Sequence, residues 1–147
     1  MMKKLFIFVV LAFFLVGCFG ARTAVKVANA VEKGGSPFDN YSDKVFTHWT
    51  KAVEYSEKSD AHFSRDEFLD GWDDYLTSHS TLNLAVKVSV PANCSRCIRA
   101  NRLLVDMYEI DKMIVSLVES GNFDDDLYEK YVDDYNRVEE EFLEEMR

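Results

Sequence analysis

The chain has 147 residues, of which 48% are hydrophobic and 14% aromatic, enough for one domain with a sizeable core and too apolar for wholesale disorder. It carries 26 acidic side chains against 17 Lys and Arg, a formal net charge of −9, so it has no electrostatic reason to bind nucleic acid or anionic lipid head groups. Pro37 and Pro91 are the only prolines, a scarcity that suits long helices.

Lys3 and Lys4 give the chain a positive start, and Leu5 to Val16 is an unbroken apolar run of twelve residues. That matches a signal-peptide apolar region of roughly 7–15 residues and falls short of the ~20 a spanning helix needs. Leu15-Val16-Gly17-Cys18, at the end of the run, resembles the bacterial lipobox. The resemblance implies removal of residues 1–17 and a thioether-linked diacylglyceryl group on the Cys18 sulfur. The freed amine is usually acylated as well, with chains of the palmitate type. A thioether requires cysteine at this position, and the narrow peptidase pocket requires small residues ahead of it.

Two or three acyl chains anchor a protein stably where a single chain is marginal. The covalent lipid on Cys18 is the one attached group expected, with no other cofactor and no metal. Phe19 stands where many lipoproteins retained at the inner membrane carry Asp, which favours the outer membrane within the cell envelope. Two further readings of this segment stay open: a secretory signal cut after Gly20 or Ala21, which discards Cys18, and an uncleaved N-terminal anchor. The resemblance covers only the first eighteen residues and names a processing class.

Residues 18–40 read as a flexible tether, with Gly20, Gly34, Gly35, Ser36 and Pro37 as loop residues and one or two helical turns over Ala24 to Glu32. Residues 41–147 read as a mainly α domain, a small bundle of about four helices. The first runs from Ser42 to about Ser59, with Val45, Trp49, Ala52 and Val53 on one face. Ser64 and Glu67 form the capping-box pattern of a second, whose apolar side is Phe68, Leu69, Trp72, Tyr75, Leu76 and His79. Leu82 to Val90 alternates as a half-buried strand would, although Leu82, Ala85, Val86 and Ser89 also suit a short helix, so a short β segment over 82–90 is possible. Its one candidate partner, Ala24 to Val27, repeats the Ala-Val-Lys-Val of residues 85–88, which we read as coincidence.

Asn93 caps a long helix to about Ser120, striped by Cys97, Ala100, Leu104, Met107, Ile110, Ile114, Leu117 and Val118. Gly121 ends it, and Asp124 to Asp126 place negative charge at the next helix start. The last helix carries Leu127, Tyr131, Tyr135, Val138 and Phe142 on one side. A short connection between two amphipathic helices implies a C-terminal antiparallel hairpin.

Three constellations carry possible chemistry. Cys94-Ser95-Arg96-Cys97 has thioredoxin-like spacing at a helix start beside Arg99 and Arg102, which would make Cys94 an attacking thiolate and Cys97 its resolving thiol. The alternating strands and the later proline of that fold are missing, so a local disulfide formed in an oxidising compartment is the stronger expectation. One Cys-x-x-Cys supplies half of the four ligands zinc wants, and His48, His62 and His79 share no ligand spacing. Ser56 to Phe68 faintly resembles the back half of an EF-hand, with Phe63, Ser64 and Glu67 at loop positions eight, nine and twelve. Ser56, Lys58 and Ala61 depart from that pattern.

The segment from Asp124 to Arg147 holds eleven acids against Lys130, Arg137 and Arg147, a solvated face or a surface for a basic partner. The expected function is a non-enzymatic, membrane-anchored lipoprotein that binds a protein at the cell envelope. A tethered thiol–disulfide module using Cys94 and Cys97, or a calcium-responsive binder, is the alternative.

Overall fold

A computed structural model describes residues 36–147. The signal segment, Cys18, and the tether up to residue 35 lie outside the described residues. The rest is a mainly α bundle of four helices: α1 (Pro37–Phe63), α2 (Phe68–Val86), α3 (Ser95–Glu119) and α4 (Asp125–Met146). None of them is long and apolar enough to cross a membrane.

The helix starts follow from local chemistry. Ser36 Oγ accepts the Asp39 N–H at 3.1 Å and Asp39 Oδ2 accepts the Ser36 N–H at 3.0 Å, a reciprocal capping box with Pro37 at the first helical position. α1 therefore begins at Pro37, and residues 37–40, expected in the tether, form its first turn. Ser36 and Pro37 read as loop residues in isolation; followed by Asp39 they are a helix-start signature.

The expected capping box at Ser64 and Glu67 does not form. Ser64 closes α1 instead, its N–H donating to Asp60 O at 2.9 Å and its Oγ to Ala61 O at 2.8 Å. The chain reverses at Asp66, whose φ of 61° lies in the left-handed region that short polar side chains tolerate. Glu67 then turns toward His62 and Arg65 rather than toward a helix terminus.

No strand forms over 82–90; α2 continues through Val86 and buries Leu82 and Ala85, three residues apart on one helical face. No described strand is present to pair with the segment, and a lone strand is unstable. The cap of α3 is Cys94, one residue beyond the expected Asn93: its sulfur accepts the Cys97 N–H at 3.1 Å. Gly121, with φ of 71°, ends the α3 region as expected, and Asp124 Oδ1 accepts the Leu127 N–H at 2.9 Å to start α4.

Neighbouring helices run antiparallel. Ser59 Oγ donates to Gly71 O and Ser78 Oγ to Ala52 O, each at 2.7 Å, so later residues of α2 meet earlier residues of α1. Arg99, at the start of α3, reaches Glu145, at the end of α4, at 2.8 Å, which establishes the C-terminal antiparallel hairpin. Tyr41 OH donates to Asn101 Oδ1 at 3.4 Å, setting the starts of α1 and α3 side by side. One end of the bundle therefore holds Pro37, and the opposite end holds the α1–α2 and α3–α4 turns.

Two apolar clusters fill the interior. Near Pro37, Phe46, Trp49 and Phe142 interlock, with Trp49 and Phe142 ring centroids 6.0 Å apart. Near the turns, Phe63, Tyr75, Ile114, Val118, Tyr128 and Val132 pack together. Burying each large side chain contributes about 1.5–3 kcal/mol. The buried face of α4 is Tyr128, Val132, Tyr135, Val138, Phe142 and Met146; Leu127 and Tyr131, expected in it, are half-buried at its edge.

Candidate functional site

Midway along the bundle, where the two clusters meet, polar side chains gather from all four helices. Tyr75 and His79 lie one turn apart on α2 and converge on Asp111 of α3. Tyr75 OH donates to Asp111 Oδ1 at 2.7 Å, and His79 Nδ1 meets Asp111 Oδ2 at 2.5 Å. Asp111 is buried, and the His79 ring stacks on Tyr108 with centroids 4.8 Å apart. From α4 come Tyr135 and Glu139, again one turn apart. Burial and then the Asp111 carboxylate hold the Tyr75 hydroxyl well above its ordinary value. Burial, Glu139 and Asp111 do the same at Tyr135. Burial and the neighbouring Glu140 push Glu139 up to about 7.

Two spaces flank this centre. On the α1–α4 side is a cavity of about 20 Å³, lined by Trp49, Ser56, Asp111, Tyr135 and Glu139 among others. The indole Nε1 of Trp49, one of its lining residues, is buried with no hydrogen-bond partner among the described residues. On the α2–α3 side, an open groove of about 490 Å³ is lined by His79, Lys112, Val115, Ser116, Glu119 and Ser120. A carboxylate that fixes one imidazole nitrogen of a histidine bordering a groove is half of an acid–base device. A nucleophile in reach of His79 would be the other half, and Ser120 Oγ donates instead to Leu117 O at 2.8 Å within its own helix.

Sequence reasoning missed Asp111 and Glu139. Asp111 falls in phase with the buried residues Leu104, Met107, Ile114 and Val118 of α3, where an acid stands out. Ile110, chosen for that stripe, sits half-buried beside it, and so does Leu117.

Cys94 and Cys97 form a disulfide, with Cα atoms 5.2 Å apart. Cys97 is fully buried and Cys94 is 8% exposed, unlike an attacking sulfur, which needs access. Two of the nearby cations are engaged elsewhere. Arg96 stacks over the Phe38 ring at 3.9 Å and donates to Glu145 O at 2.6 Å, while Arg99 pairs with the Glu145 carboxylate.

At the α1–α2 turn, His62 Nδ1 meets Glu67 Oε2 at 2.6 Å, His62 Nε2 lies 3.4 Å from Asp74, and Arg65 pairs with Glu67 at 2.8 Å. Donor atoms of His62, Glu67 and Asp70 lie within 4.8 Å of one another, with the Arg65 guanidinium beside them supplying a positive charge. The twelve-residue calcium loop that an EF-hand requires does not exist, because Ser56 to Phe63 is helix. His48 is half-buried on α1, apart from these groups.

Comparison with known proteins finds no matching family model, no matching curated protein and no matching solved structure.

Proposed function

We propose that this protein is a lipid-anchored lipoprotein of the bacterial cell envelope, with the outer membrane favoured, whose helical domain is a non-enzymatic module for binding another protein. The observation that carries the reading is Leu15-Val16-Gly17-Cys18 at the end of a twelve-residue apolar run. The lipid on Cys18 is the membrane contact, and residues 19–35 connect it to the capped start of α1. Binding of a protein partner is supported by the side chains left outside the bundle. Leu69 is 76% exposed and Leu84 48% exposed on α2, and Ile98 and Met113 are exposed on α3. They are the large apolar side chains most accessible to a partner among the described residues.

The test is metabolic labelling with a palmitate analogue, followed by membrane fractionation, of the natural chain and Cys18→Ser. Loss of label and release from membranes in Cys18→Ser is expected. Unchanged labelling and fractionation would overturn the anchoring. Photocrosslinkers at Leu69 and Leu84 are expected to capture one partner in intact envelopes, whereas crosslinkers at the solvated Glu140 are not.

A second reading, tethered thiol–disulfide exchange, is favoured by one feature, the disulfide at the α3 start with Cys94 as cap. Turnover of a model disulfide that Cys94→Ser abolishes would establish it. A bond that stays inert in glutathione buffers leaves it a structural staple.

A further inference from the structure

Trp49 brings a hydrogen-bond donor into the middle of the bundle and leaves it without a protein partner. Such a donor, buried and unpaired, is destabilising unless a water satisfies it. The cavity that Trp49 lines, about 20 Å³, exceeds the ~10–15 Å³ that one water molecule requires. Glu139 lines the same space and is only half-buried, so the residue borders both the cavity and the solvent.

The charges around Glu139 are one-sided. From α1 the cavity meets Trp49, Ala52, Val53 and Ser56, none of which titrates as an acid or base in the ordinary range. From α2 it meets Tyr75, and from α3 Asp111, whose second oxygen is taken by His79. From α4 itself come Tyr135 and, on the outer side, the Glu140 carboxylate. No Lys or Arg lines the cavity to balance an ionised Glu139.

We propose that Glu139 is a proton-operated gate on this cavity. Neutral, it lies inward, closes the space and shares one bound water with the Trp49 indole N–H. Ionised, it has no cation to meet inside and a second carboxylate, Asp111, across the cavity, so it turns outward and admits solvent to Trp49. The position of its titration, up to about 7, places the change within the range an envelope protein encounters. Water entry at this point loosens α4 against α1 between the two apolar clusters, without requiring the helices to unfold.

The experiment reads Trp49 in the full-length protein carrying Trp72→Phe, which leaves Trp49 as the sole indole. Emission wavelength and acrylamide quenching are followed from pH 5 to pH 9, with far-UV circular dichroism recorded in parallel. Expected is a red shift and loss of protection from acrylamide as pH rises, with a midpoint near 7 and unchanged helicity. Glu139→Gln in the same background should keep Trp49 protected throughout. Asp60→Asn, which removes the other carboxyl group displaced to about 7, should leave the transition in place. A Trp49 equally protected at all pH values would overturn the gate. So would a transition that survives Glu139→Gln, one that Asp60→Asn abolishes, or one accompanied by loss of helicity.

Discussion

Gly71 and Phe63 are in direct van der Waals contact: a Cβ placed on Gly71 would lie 2.8 Å from Phe63 Cδ1 and 2.9 Å from its Cε1. This closeness lets α2 sit against the end of α1, and it brings Gly71 O to Ser59 Oγ at 2.7 Å. In an open helix Gly→Ala gains about 1 kcal/mol. Here the Phe63 ring is buried and has nowhere to go, so Gly71→Ala is expected to destabilise by about 1–3 kcal/mol. Chemical denaturation of the two proteins checks this, and a more stable Gly71→Ala protein would contradict the packing.

Asp111 serves two donors in a buried position, so its loss strands both Tyr75 and His79. Asp111→Ala is expected to cost about 1–3 kcal/mol per group left unpaired, and Asp111→Asn distinctly less. Tyr75→Phe on its own should be milder. A double-mutant cycle between Tyr75 and Asp111 should return a coupling energy clearly different from zero.

Stability should fall as pH rises from about 4.5 to about 7. Glu139 and Asp60 both have folded-state values raised above those of the unfolded chain, by burial first and by Glu140 and Glu57 respectively. The folded protein then binds protons more tightly than the unfolded one, so their contribution is complete at the acid end and is lost through this window. Glu67 and Glu145 are shifted the other way, by hydrogen bonds from His62 and Arg99, and lose their stabilisation only as pH falls further. Melting temperatures at pH 5 and pH 8 test the sign, and Glu139→Gln should flatten the difference.

The Cys94–Cys97 bond closes a very short loop, so its removal should cost less than the ~3 kcal/mol of a 15-residue loop. A Cys94→Ser, Cys97→Ser protein is expected to keep its helicity and melt a few degrees lower. Because Cys97 is fully buried, the native bond should resist glutathione until the protein is unfolded. Alkylation of free thiols before and after denaturation measures both.

Helices were legible wherever one local signal decided them. Gly121 and Asp124 bracket the turn between α3 and α4, the glycine through its positive φ and the aspartate through its side-chain cap. Ser64 and Glu67 have the spacing of a capping box, but their neighbours His62 and Arg65 offer Glu67 charged partners instead. The alternation from Leu82 to Val90 was equally consistent with two periods, and burial of Leu82 and Ala85 against α1 and α3 selected the helical one for its first half.

By itself the sequence determined the helical class, the approximate helices and the Cys-x-x-Cys spacing of Cys94 and Cys97, and it carries the lipobox expectation at Cys18. These depend on composition, local spacing and short-range chemistry, all carried within a few turns of chain. Only the tertiary structure decided that Tyr75, His79, Asp111, Tyr135, Glu139 and Trp49 meet at one level of the bundle. Those residues come from four helices spread over ninety positions of chain. Their meeting depends on the antiparallel order and rotational setting of the helices, quantities that no single helix encodes.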